Sequence, residues 1–199
     1  QPFVYAGYTI FVAEVPSILS EALFLQHMLE RATDPRERTV LLQHAIDEIV
    51  STFYTQVLFA DFELAAHRLV EAGRPVTADV LSDLYFTRFK EYHGDVFDYD
   101  ERSKLTWARI SHFYATPYYV YQYATCYASS AQLIQTITSG TVDERRKGVE
   151  RFLELLRAGG SDYPMNLLKR AGVDLSTPAP AEAVVAQLDR RVTQLEKEI

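Results

Sequence analysis

The feature that most limits how this chain can fold is the spacing of its apolar residues, which recur three and four positions apart along nearly its whole length. That step keeps residues on one face of a helix, whereas a half-buried strand needs a step of two, and strict alternation is almost absent. The spacing predicts an all-α chain of about eight helices. Breaker residues set their limits. A first helix is expected over 15–31, with Pro16 in the first turn, where a missing N–H is harmless; it stops at Thr33-Asp34-Pro35. A long second helix is expected over 35–72, stopped by Gly73, and a third from Thr77 as N-cap to His93-Gly94. A polar-aromatic loop over 95–100 leads to helices over 101–113, 118–139, 142–158 and 165–171. Beyond Thr177-Pro178-Ala179-Pro180, a last helix carries Val185, Leu188, Val192, Leu195 and Ile199 as one apolar seam. No repeat or low-complexity linker interrupts the pattern, so the chain reads as one domain.

Composition narrows what such a bundle can do. With 48% hydrophobic and 24% charged residues, the 199-residue chain has enough apolar material for a packed core. Its 20 Lys and Arg against 27 Asp and Glu give a net charge of −7 without a long basic run, which argues against nucleic acid as a partner. No apolar stretch approaches the roughly 20 residues of a membrane span. Cys126 is the single cysteine, so no intrachain disulfide forms and a cytoplasmic setting is expected. The chain opens on Gln1 rather than Met and reads as a piece of a longer protein. Its 13 Tyr and 11 Phe predict an aromatic interior or cleft.

Two stretches put polar groups where burial is expected. Glu14 follows Ile10-Phe11-Val12-Ala13 and precedes Val15-Pro16-Ser17. A carboxylate there is either an exposed first-turn residue favoured by the helix dipole or a buried group that needs a cation or metal. Glu21 lies two turns on, as a supporting group or a surface charge. The second stretch, from Trp107 to Tyr123, holds His112 and five tyrosines within twelve residues around Pro117. Tyr118 and Tyr121 share a helix face there, and phenol and imidazole groups can donate to a developing oxyanion; the other reading is an aromatic cluster with its hydroxyls at the edge. His44 with Asp47 and Glu48, and Glu63 with His67, have helical spacing for metal ligands but read as ordinary helix-surface pairs. No Glu-x-x-His pair, phosphate-cradling glycine loop or Gly-x-Ser-x-Gly elbow occurs.

Taken together, the motifs resemble the C-terminal part of oligoendopeptidase F and its relatives, zinc metallopeptidases of the thimet-oligopeptidase superfamily. The resemblance rests on Gln1-Pro2-Phe3-Val4-Tyr5, Ile10 through Ser17 with Glu21, Leu58-Phe59-Ala60-Asp61-Phe62-Glu63 and Tyr92-His93-Gly94-Asp95. It continues in Trp107 through Tyr114, Tyr119 through Thr125, and Gly159-Gly160-Ser161 through Asp174. It implies that residues 1–199 are the C-terminal helical part of the catalytic domain, one wall of a cleft in a two-lobed, zincin-like helical oligopeptidase. In that family a His-Glu-x-x-His helix supplies two zinc ligands and the general base, and Glu14 matches the downstream third ligand. His112 and Tyr121 match groups that contact substrate or stabilise the tetrahedral intermediate, with Tyr118 and Tyr114 in the same segment. Ser111 and Cys126 replace other residues of the pattern without an implied part in the chemistry.

No His-Glu-x-x-His occurs in the chain, and one carboxylate cannot hold catalytic zinc, which takes three protein ligands. The resemblance therefore implies one zinc ion and an oligopeptide substrate in the intact protein, an upstream part of the same protein as partner, and an isolated chain that is inactive with zinc absent or weakly held. The alternative is a catalytically dead helical peptide-binding or interaction module. Apolar surface around Phe3, Tyr5, Tyr8 and Phe11 is expected where upstream helices are missing.

Overall fold

The computed structural model describes residues 2–96 and 98–199; Gln1, at the head of the first motif, and Phe97, in the 95–100 loop, lie outside the described residues. The chain is all-α, with ten α-helices and no strand among the described residues. In order these are α1 Ile10–Ala13, α2 Val15–Arg31, α3 Pro35–Ile49, α4 Thr55–Glu71, α5 Ala78–His93, α6 His112–Ala115, α7 Tyr121–Thr138, α8 Val142–Ala158, α9 Pro164–Ala171 and α10 Ala179–Leu195. None of the described helices is long and apolar enough to cross a membrane.

Local chemistry accounts for the ends. Asp34 accepts the Arg36 N–H at 2.9 Å at the start of α3, and Thr77 accepts the Val80 N–H at the start of α5. Thr141 and Glu144 form a reciprocal capping box on α8. Gly172, with φ of 98°, closes α9 in the left-handed conformation.

Three expected helices differ, the one expected over 118–139 by starting at Tyr121, so that Tyr118, at φ 59° after Pro117, does not share a helix face with Tyr121. The 35–72 span is divided by a π-helix, Val50–Tyr54, where the Ser51 hydroxyl donates to the Glu48 carbonyl and competes with the regular ladder. The 101–113 span is a 3-10 helix, Glu101–Arg109, followed by the separate α6. Residues three apart eclipse in a 3-10 helix, so Lys104, Trp107 and Ile110 form the inward row and Leu105 is exposed.

Packing divides the chain into two compact units, Gln1–Phe53 with Thr125–Ile199, and Tyr54–Ala124. Both crossings fall inside helical segments, so no linker composition marks them in the sequence. In the first unit α3 packs on α2 and α10, and α9 packs on α8 and α1. Residues 126–131 of α7 are all buried, so this stretch is enclosed on every side. The buried face of α10 is Pro180, Ala183, Val184 and Gln187, not the seam predicted from Val185; Val185, Val192 and Ile199 are exposed. In the second unit α4 and α5 pack together and α5 packs on the Glu101–Arg109 helix. Their core is aromatic: Phe59, Phe62, Tyr85 and Trp107 with Leu58 and Val120. Phe62 meets Tyr85 edge-on at 5.5 Å, and the Trp107 indole donates to Ser82 Oγ at 3.2 Å.

Candidate active site

Glu14 sits between α1 and α2, and Pro16 explains why the helix breaks there. A continuous helix would need the Pro16 N–H to bond the Val12 carbonyl; proline has none, and its ring would crowd that oxygen. The Val12 carbonyl accepts instead from the Glu14 N–H, with Glu14 at φ −90° and ψ −7°. Helix α7 grips the backbone on both sides. Cys126 Sγ donates to the Phe11 carbonyl at 3.1 Å, and one turn later Ser130 Oγ lies 2.9 Å from the carbonyls of Val15 and Cys126. Burial pushes the Cys126 thiol up to about 11, so at neutral pH it stays protonated and able to donate. Cys126, without a role legible in the sequence, helps through its sulfur to hold the turn that carries Glu14.

The Glu14 side chain is half-buried and does not cap α2. Among the described residues no three His, Cys, Asp or Glu side chains come together as a ligand set. A carboxylate such as that of Glu14 has the donor chemistry of a single oxygen ligand to zinc, and a catalytic zinc site takes three protein ligands. Glu21 interacts with Glu48 on α3 and helps to push the Glu48 carboxyl up, after burial.

Nearby, the second glycine of Gly159-Gly160-Ser161 donates its N–H to the Tyr5 carbonyl at 3.0 Å. A Cβ at Gly160 would collide with the Gly7 carbonyl oxygen, so this docking of the N-terminal segment requires glycine. Phe3, Tyr5 and Tyr8 are exposed as expected, and so is Val4 beside them, whereas Phe11 is half-buried.

In the second unit His112 opens α6, and one ring from the following turn and one from α7 pack on its imidazole. Tyr119 stacks on it at 5.1 Å and 18°, while Tyr123 meets it edge-on at 5.8 Å with its hydroxyl 3.4 Å from Nε2. Tyr121 starts α7 and is exposed. The other predicted tyrosines have different neighbours: Tyr114 packs near Trp107 with its hydroxyl donating to the Ala108 carbonyl, and Tyr118 lies 4.6 Å from the His67 ring. Tyr119 and Tyr123, not Tyr118 or Tyr114, are therefore the ring neighbours of His112. The period of the sequence would have found them only if α7 were known to begin at Tyr121.

The turn between α6 and α7 contains a strained residue. Thr116, before Pro117, is pushed off helical geometry to φ −142°, and Tyr118 has φ of 59°, the only positive φ among the described non-glycine residues. A residue with a Cβ pays about 1–2 kcal/mol there. Glu63 on α4 offsets this, its Oε1 accepting the Tyr118 N–H at 2.8 Å. It is 4% exposed, beside a cavity of about 180 Å³ also lined by Phe62, His67, Val70, Trp107 and Phe113. Neither Glu63 nor His67 stands out from its helical spacing alone.

Comparison with known proteins places these geometries in a family. The chain is similar to the oligopeptidase PepF of Bacillus subtilis, 38% identical over 197 residues that make up 99% of this chain and 29% of that protein. It is also similar to the crystal structure of oligoendopeptidase-F from Enterococcus faecium, with a TM-score of 0.86 and 36% identity over 96% of this chain and 36% of that one. A putative peptidase from Chlamydophila abortus gives a TM-score of 0.90 and 35% identity, covering 100% of this chain and 33% of that one. The chain thus spans about a third of the length of the relatives it matches. Because the model of peptidase family M3 matches residues 1–186, a stretch that includes the Glu14 turn, the His112 ring cluster and the Gly160 docking, this chain belongs to peptidase family M3.

Proposed function

We propose that this chain is the C-terminal helical part of a zinc-dependent endopeptidase that hydrolyses short oligopeptides, completed by an upstream His-Glu-x-x-His segment of the same protein. The observation that carries this reading is the extent of the family match, which takes in Glu14, His112 and Tyr121 in one ordered series. Zinc, when bound, supplies a Lewis acid for the scissile carbonyl and an activated water.

The chain's own residues do the rest of what it contributes. Glu14 is the carboxylate ligand, its direction set by a turn that α7 holds through two backbone carbonyls. His112 and Tyr121 donate hydrogen bonds to the oxygen that gains negative charge as the carbonyl becomes tetrahedral. A ring clamped by Tyr119 and Tyr123 needs little reorganisation when that charge develops, which is the condition under which such donors accelerate a reaction. Tyr114 and Tyr118 serve the substrate side of the same segment. The intact protein works in the cytoplasm.

The test is metal analysis and short-peptide turnover of the 199-residue chain alone and joined to its upstream segment. Alone it should hold no stoichiometric zinc and cleave nothing; joined, it should gain both. A zinc-loaded, active isolated chain contradicts the assignment of ligands. A joined protein that binds peptides without cleaving them favours the binding module.

A further inference from the structure

We propose that Glu63 is a positioning residue: its buried carboxylate sets the turn between α6 and α7 and, through it, the orientation of Tyr121 and the Tyr119 ring over His112. The inference rests on the oxyanion role proposed above for His112 and Tyr121. Burying a carboxylate at 4% exposure is costly, and the bond its Oε1 accepts comes from a backbone amide 55 residues away, that of Tyr118. A charged acceptor strengthens such a bond. Tyr118 is also the residue with the least favourable backbone, at φ 59°, so the carboxylate acts where the chain most needs holding.

Two further contacts hold the same residue. His67, one helical turn beyond Glu63, lies against the Tyr118 ring at 4.6 Å, and the Tyr118 carbonyl accepts from Gln122 Nε2 at 3.4 Å. Without the carboxylate, Tyr118 relaxes toward negative φ and its ring leaves His67. Val120, anchored in the core, acts as a pivot, so relaxation at Tyr118 tilts Tyr119 on one side of it and Tyr121 on the other. Glu63 itself neither donates nor accepts a proton in the reaction.

The test uses the intact protein and reads kcat, KM and zinc content for short-peptide cleavage. Glu63→Leu should lower kcat by roughly 10²-fold, the scale of an ångström misplacement, with KM and zinc little changed. Glu63→Gln, which keeps an oxygen acceptor, should recover most of that loss. Tyr118→Gly removes the backbone strain, so adding Glu63→Leu to it should cost much less than in the wild-type background. Exchange of the Tyr118 amide hydrogen should be slow in the wild type and faster in Glu63→Gln, a readout that stands even if Glu63→Leu fails to fold. Wild-type kcat in Glu63→Leu, an equal loss in both Tyr118 backgrounds, a Gln variant as slow as the Leu variant, or unchanged amide exchange overturns the proposal. Full activity in both His112→Ala and Tyr121→Phe instead overturns the oxyanion reading; slow His112 and Tyr121 variants beside a fast Glu63→Leu overturn only the role of Glu63.

Discussion

The two units hold their candidate residues by different means. In Gln1–Phe53 with Thr125–Ile199, Glu14 is placed through its backbone: the neighbouring carbonyls of Phe11 and Val15 are gripped by Cys126 and Ser130 on an enclosed helix. In Tyr54–Ala124, His112 is placed through its side chain, between the ring of Tyr119 in the turn and that of Tyr123 on α7, and the Tyr118 amide of that turn donates to the carboxylate of Glu63. Placement of the first kind acts on the backbone either side of Glu14 through small side chains of one helix. Ring placement leaves hydroxyls and ring nitrogens near one another at the edge of an apolar cluster. The first suits a metal ligand and the second suits hydrogen-bond donors.

Substitutions can break this contrast one side at a time. The largest effect is expected in the second unit: Tyr121→Phe in the intact protein removes one donor and should slow turnover by roughly 10²–10³ with zinc retained, as measured by kcat alongside metal content. In the first unit, Ser130→Ala leaves the Val15 carbonyl without its side-chain donor in a fully buried setting. Thermal or denaturant unfolding should report a loss of about 1 kcal/mol. An unchanged midpoint would mean that the grip on the Glu14 turn lies elsewhere.

The smallest effect concerns Glu48, whose carboxyl is held above its ordinary 4.5 by burial first and by its hydrogen bond to Glu21 second. A carboxyl whose folded-state pKa is raised costs the fold stability once it ionises. That cost is absent below the unfolded pKa and grows as pH rises through the folded one. Glu48→Gln should therefore stabilise the protein at neutral pH, by less than about 1 kcal/mol at this half-buried, solvent-screened site, and the gain should vanish in acid. A gain independent of pH would contradict the shifted carboxyl.

What could be read from the sequence follows the same division. The Glu14 break is legible because Pro16 forbids a continuous helix, and α8 because Thr141 and Glu144 announce its start. The Glu101–Arg109 segment reads as an α-helix because α and 3-10 helices both bring residues three apart together; only Leu105, turned outward, separates them. The inward row of α10, Pro180, Ala183, Val184 and Gln187, is hidden from the apolar pattern because it ends on a polar residue, whereas the apolar row from Val185 lies on another face. Glu63 could not be found from its neighbours, since its partner is a backbone amide far along the chain whose need for an acceptor comes from a left-handed turn. Contacts made by side chains to distant backbone leave no period in a sequence.

The central claim is that Glu14 is the carboxylate ligand of a zinc site completed by the upstream segment. Zinc stoichiometry of the intact protein, wild type against Glu14→Gln, tests it most directly. One zinc per chain in the wild type and substoichiometric zinc with turnover nearly abolished in Glu14→Gln is the predicted result. A Glu14→Gln protein that retains its full zinc complement and activity would contradict it.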